Sequence, residues 1–160
     1  MFHYDMIKFM EINVTIEDEN ILKHFSEDWF HLEAEKILNL AQAGESEMGI
    51  SIVDDECIRA INRMHRQIDK PTDVISFQME CADGFIVPSD MRHLGDVVIS
   101  APTAQRQAVE FEVSIEEEMR RLLIHGVLHL LGYDHMQIEE ENIMQAEEER
   151  IMCFLGKQNG

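Results

Sequence analysis

Apolar and polar residues alternate from Met10 to Ile16 (M-E-I-N-V-T-I), which is the period of a half-buried β-strand. The period then changes. Phe30, Ala34, Ile37, Leu38 and Ala41 recur at helical spacing, predicting a helix over 27–42 that Ala43-Gly44 ends. A second strand over 48–53 leads into Asp54 and Asp55, which suit the cap of a helix running to about Arg66 with Ile58, Ile61 and Met64 on one face. Pro71-Thr72 breaks that run, and 72–79 reads as a buried strand of β-branched and aromatic residues. Gly84, Pro88 and Ser89 mark an irregular loop, followed by a strand over 94–100, a short helix over 102–110 and a long one over 114–131. A last helix, 139–155, carries an acidic face and ends at Gly156. No repeat or low-complexity linker is visible. This order predicts an α+β fold with one small mixed sheet of about four strands covered by helices.

At 160 residues with 45% apolar composition, the chain suits one hydrophobic core, so residues 1–160 are expected to form a single domain. No stretch approaches the roughly 20 apolar residues of a membrane span, and Asp5 and Lys8 interrupt what would be an apolar signal region. A soluble, unexported, cytoplasmic protein is expected. The odd set of Cys57, Cys81 and Cys153, with no C-x-x-C pair, reads as reduced thiols, and the scattered methionines read as core filler. A net charge of −19 argues against electrostatic coating of nucleic acid. Distribution refines this: Arg59, Arg63, Arg66 and Lys70 share one short window that suits a local anion site, whereas the acidic runs 116–118, 139–141 and 147–149 read as solvated helix faces.

The chemistry concentrates in S-I-E-E-E-M-R-R-L-L-I-H-G-V-L-H-L-L-G-Y-D-H, residues 114–135. Ser114 and Glu117 fit a capping box at the helix start, and Gly132 fits the left-handed residue at its end. His125 and His129, four apart on that helix, project from one face with Cβ atoms roughly 5–6 Å apart, so two imidazoles can converge on one ion. Gly132 can turn the chain so that His135 completes a three-nitrogen site. Three ligands leave a fourth tetrahedral position open, as in catalytic zinc sites, although such a site also accepts nickel or copper. The spacing H-x3-H-x5-H also occurs in metzincin peptidases, but Gly126 stands where their catalytic Glu belongs and cannot act as a base. Gly126 is expected to leave room near the ion.

Residues 125–135, H-G-V-L-H-L-L-G-Y-D-H, resemble the YbeY family of bacterial endoribonucleases and rRNA maturation factors. Two further segments agree: H-R-Q-I-D-K-P-T-D-V-I-S-F (65–77) resembles the family's R-x-x-D-x-P-T-D-V-L-S-F, and L-G-D-V-V-I-S (94–100) resembles its G-D strand. The resemblance covers nearly all of the chain from Met10, with Gln78 standing where proline commonly follows the S-F pair, and residues 1–9 reading as an upstream start or a frayed extension. It implies a zinc-dependent endoribonuclease specific for single-stranded RNA, acting in 16S rRNA 3′-end maturation and ribosome quality control, with an rRNA precursor and the ribosomal subunit or its proteins as partners and no DNA or membrane partner. The family's metal ligands fall on His125, His129 and His135, and its required arginine falls on Arg66, the candidate catalytic residue.

Arg66 also makes chemical sense beside a metal site, because a phosphodiester gains charge on its non-bridging oxygens in the transition state and a guanidinium grips two at once. Lys70, Arg63 and Arg59 read as surface cations, Asp73 and Asp96 as braces of backbone turns, and His65 and His93 as surface histidines. Two other functions compete: a metallopeptidase-like hydrolase, opposed by Gly126, and a non-catalytic ribosome assembly factor whose ion is structural and whose acidic surface docks a protein partner.

Overall fold

In the computed structural model, residues 10–79 and 91–158 are described; the loop expected around Gly84, Pro88 and Ser89, Cys81 and the extension 1–9 lie outside them. The alternating segment forms β1 (Met10–Ile16) and the first helical segment forms α1 (Glu27–Leu40), with Ser26 Oγ accepting from Trp29 N at 3.2 Å as its cap. Then come β2 (Ser46–Val53) and α2 (Asp55–Arg66), where Asp54 caps through a 2.8 Å bond from Cys57 N. The third expected strand is shorter than its sequence suggests, β3 being Val74–Gln78; Asp73 precedes it, its carboxylate accepting from Val74 N and its carbonyl from Ser100 N at 2.9 Å. The chain continues through β4 (Arg92–Ser100), α3 (Ala101–Glu110), α4 (Ile115–Leu130) and α5 (Ile138–Gln158). No described helix is long and apolar enough to cross a membrane.

The fold is α+β around one four-stranded mixed sheet in the order β1-β2-β4-β3, with β1, β2 and β4 parallel and β3 antiparallel to β4. The two-residue period of β4 sorts its side chains between layers. Val97 and Ile99 join Ile50, Ile52, Phe30, Leu123 and Val127 in the main core under α1 and α4, whereas Val98 joins Ile58 and Ile75 beneath α2 on the opposite face. At roughly 25 cal/mol per Å² of apolar surface removed from water, it is this two-sided burial that holds the layers together. Gly95 is demanded by the β3–β4 pair: its φ is +121°, and a Cβ there would lie 1.9 Å from Phe77 O.

The helix at the centre departs from the expected solvated face. Glu118, in the acidic run 116–118, is only 1% exposed and forms a two-point ion pair with Arg121, at 2.9 and 2.5 Å. Arg120 is buried too, donating to Glu33 of α1 at 2.9 Å, with its guanidinium 5.8 Å from the centre of the Trp29 ring. Buried charges of this kind persist only when paired, and the Arg120–Glu33 pair joins α4 to α1 in addition to apolar packing.

Candidate metal centre and its cleft

The Ser114 cap forms as its sequence predicts, Ser114 Oγ accepting from Glu117 N at 3.1 Å, so the rotation of α4 is set from its first turn. Two turns of spacing later, His125 and His129 lie one above the other, with ring centroids 4.6 Å apart and their Nε2 atoms 3.2 Å apart. Helix α4 stops at Leu131, and Gly132 (φ +100°) takes the left-handed conformation that reverses the chain. His135 is thereby returned to the histidine face, with ring centroids 5.0 Å from His129 and 6.2 Å from His125.

Two carboxylates join this cluster: Asp134, which the sequence reading does not single out, and Glu148, which it places on a solvated helix face. Asp134 accepts from His135 N at 2.7 Å, and its oxygen, with the ring nitrogens of His129 and His135, forms a group whose ligand atoms all lie within 4.8 Å of one another. Glu148 of α5 meets Nδ1 of His125 at 2.5 Å. Asp134 carried only the signal of adjacency to His135; Glu148 was hidden inside the run 147–149. The donor set suits a zinc-class ion: imidazole nitrogens are its preferred ligands, and two Nε2 atoms facing each other at 3.2 Å call for a proton or a cation between them. Burial first, and then the neighbouring His125 and His135, hold the His129 imidazole below its ordinary value against Asp134 and a backbone hydrogen bond at Tyr133. The ring is thus kept neutral, the form that ligates a metal.

The histidines open onto a cleft of about 590 Å³ whose far wall comes from α2 and β3. Arg66, the last residue of α2, lines it together with Thr72, Asp73, Ser76, Phe77 and Gln78. Of the four cations in the basic window, Arg66 reaches this cleft. Arg59 is instead held by Asp69 through two bonds of 2.9 and 3.1 Å, in a separate hollow that it shares with Arg63. Asp73 does brace backbone, as expected, and accepts from Gln107 Nε2 at 3.2 Å. Gln78, at the position where proline was the commoner residue, completes β3 and donates to His129 O at 2.8 Å. His65 packs edge-on against Phe77, and His93 pairs with Glu47 in a different hollow.

Gly126 corrects an expectation. It faces the sheet: a Cβ there would meet the Val97 methyls at 2.6 and 3.0 Å and Ser76 Oγ at 3.3 Å. Its lack of a side chain lets α4 approach β3 and β4, and its carbonyl accepts from Ser76 Oγ at 3.0 Å. The glycine makes room for the sheet.

Comparison with known proteins agrees with the motifs. The family described as Endoribonuclease YbeY matches residues 7–156. Among relatives, an Endoribonuclease YbeY of Heliobacterium modesticaldum is 40% identical, the match spanning 93% of this chain and 98% of the relative. One of Aquifex aeolicus is 41% identical, over 90% and 91% of the two chains. The solution structure of TM1509 from Thermotoga maritima superposes with a TM-score of 0.60 at 22% identity, over 88% of this chain and 86% of that one, a likeness of fold.

Proposed function

Because the chain belongs to the YbeY endoribonuclease family, we propose that it is a metal-dependent endoribonuclease, one catalytic domain that cleaves single-stranded RNA with His125, His129 and His135 holding the ion and Arg66 gripping the scissile phosphate. The observation that carries this reading is the meeting, in one cleft, of three imidazoles from the end of α4 and a guanidinium from the end of α2. Arg66 lies 59 residues before His125, and the packing of α4 on the sheet brings both to one cleft. Asp134 is the competing ligand on geometry, and its carboxylate would replace His125 if the ion sat lower in the turn.

A zinc-class ion in such a site supplies Lewis acidity and makes hydroxide accessible near neutral pH. The protein's own groups do the rest. The Arg66 guanidinium neutralises charge that accumulates on the non-bridging phosphate oxygens, and its planar two-point geometry fixes the phosphate's orientation. Phe77 and Tyr133, also in the cleft lining, offer aromatic side chains on which unpaired bases can stack, which favours single strands over a duplex. Arg66 offers phosphate a local attraction in a chain whose net charge is −19, and the acidic surface suits docking to a protein partner.

Zinc is the ion proposed, and the biological setting proposed is the cytoplasm, with precursor rRNA as substrate, maturation of the 16S 3′ end and ribosome quality control as roles, and the ribosomal subunit or its proteins as partners. A peptidase reading has little to draw on, since the position of its catalytic Glu is Gly126, packed against Val97. The deciding assay sets zinc-loaded protein on short single-stranded RNA beside a casein digest, with the triple variant His125→Ala, His129→Ala, His135→Ala as control. RNA cleavage abolished in the triple variant is expected. Casein digestion with intact RNA, or full RNA cleavage by the triple variant, would overturn the reading.

A further inference from the structure

We propose that Glu148 is a positioning residue for His125, holding its Nδ1–H so that Nε2 is the atom presented to the cleft. This rests on the three-histidine reading above. Helix α5 turns an apolar stripe toward α4, in which Met144, Ile151 and Leu155 are 2%, 0% and 1% exposed. Glu148 falls on the same stripe, four residues after Met144 and three before Ile151. Glu147 shares this spacing but pairs with Arg150 at 2.6 Å, on the side where Arg150 also donates to Leu40 O at 2.6 Å, and Glu149 accepts from Gln145 at 3.2 Å.

A carboxylate on a core-facing stripe loses hydration and needs a partner to remain there. That partner is His125, 2.5 Å away, on a ring whose opposite nitrogen faces His129. An ionised carboxylate accepts and does not donate, so this contact selects the neutral-ring tautomer with its proton on Nδ1, in which Nε2 is the nitrogen available to a metal. The ring is also prevented from rotating, because turning it about the Cβ–Cγ bond would break the contact. Glu148 does not line the main cleft; it shares a second hollow beside α5 with His125 and His135. Its work is to fix one tautomer and one ring orientation, an arrangement whose loss typically weakens metal affinity by about 10–100-fold.

The test uses full-length protein stripped of metal. Two-bond ¹H–¹⁵N correlations report the His125 tautomer, and competition against a chelator reports Zn²⁺ affinity, for the unaltered protein, Glu148→Gln, Glu148→Ala and His125→Ala, with thermal melts as a check on folding. The metal-free protein is expected to show His125 protonated at Nδ1. Glu148→Ala is expected to lose that single tautomer and to bind Zn²⁺ about 10–100-fold more weakly. Glu148→Gln keeps an acceptor oxygen at the same length and is expected to recover most of the tautomer and part of the affinity, and it carries the test if the alanine variant fails to fold. An unchanged tautomer and unchanged affinity in Glu148→Ala would overturn the proposal while leaving the histidine site standing. Failure of the unaltered protein to bind Zn²⁺ would overturn the three-histidine reading instead, and the tautomer measured on metal-free protein would still decide what Glu148 does.

Discussion

Adding one methyl group at Gly126 tests whether the distance between α4 and the sheet sets the geometry of the site. In an exposed helix, Gly→Ala stabilises by about 1 kcal/mol because alanine has less backbone freedom to lose. Here the new Cβ would lie 2.6 Å from one Val97 methyl and 3.0 Å from the other, against the ~3.5–4.0 Å of an unstrained carbon contact, so something must move by roughly 1 Å. Val97 has little to give. It is fully buried, β-branched and in a strand paired on both sides, so the retreat falls on α4. Overpacking of this kind costs about 1–3 kcal/mol, and after the propensity gain the net loss expected for Gly126→Ala is about 0–2 kcal/mol. For a chain of this size that lowers Tm by up to about 8 °C. The same retreat shifts His125 and His129 relative to Arg66, and misplacement of about 1 Å can cost on the order of 10²-fold in rate, so RNA cleavage should fall further than the stability loss implies. Urea unfolding of Gly126→Ala, Val97→Ala and the double variant isolates the contact, because trimming Val97 removes the clash. The double variant should be about 1–3 kcal/mol more stable than the two single losses add up to, the whole of the overpacking strain. If Gly126→Ala matched or exceeded the parent in stability and the cycle closed to zero, the close approach would not be what requires glycine.

Arg66→Ala should slow RNA cleavage by roughly 10²–10³ with metal content and folding unchanged, Arg66→Lys should recover only part, and the loss should appear in kcat more than in RNA affinity; weak binding with normal cleavage at saturation would make it a simple binding contact. Elemental analysis should find one transition metal per chain, lost when any two of His125, His129 and His135 become alanine; protein that neither retains nor takes up metal would refute the site. Glu33→Ala strands the Arg120 guanidinium in the core and should cost about 3–5 kcal/mol in chemical denaturation, against which a loss below 1 kcal/mol would show that Arg120 escapes to solvent. Burial pushes the Asp55 carboxyl up, but hydrogen bonds from Ser100, Thr103 and Arg106 outweigh it and hold the group below the usual carboxylate range. Its contribution is therefore complete above that range and lost as pH falls through the depressed value. Asp55→Asn should flatten the acid limb of the stability curve, and an unaltered limb would count against this assignment.

Much of the fold is written locally. The alternation of 10–16, the caps at Asp54 and Ser114 and the left-handed turn at Gly132 each depend on a few adjacent residues, and each occurs in the structure where the sequence places it. The grouping of His125, His129 and His135 is local for the same reason, since helical spacing and one glycine turn bring them together. What the sequence by itself left undecided is rotational. Three consecutive glutamates at 147–149 look equivalent, and only the docking of α5 through Met144, Ile151 and Leu155 turns Glu148 inward to His125. By charge and helical period alone the four cations between 59 and 70 look equivalent, and it is the packing of Ile58 against Ile75 and Val98 that sets how α2 is turned and leaves Arg66, the one that the resemblance singles out, at the cleft. Glu118 reads as a solvated acid and Gly126 as space for an ion, because neither the Arg121 pair nor the Val97 methyls can be inferred from helical period alone. Periodicity identifies a helix and its apolar stripe; which residue at the edge of that stripe meets which partner is decided by close packing between elements far apart in the chain, where a shift of about 1 Å or a few tens of degrees exchanges one neighbour for another.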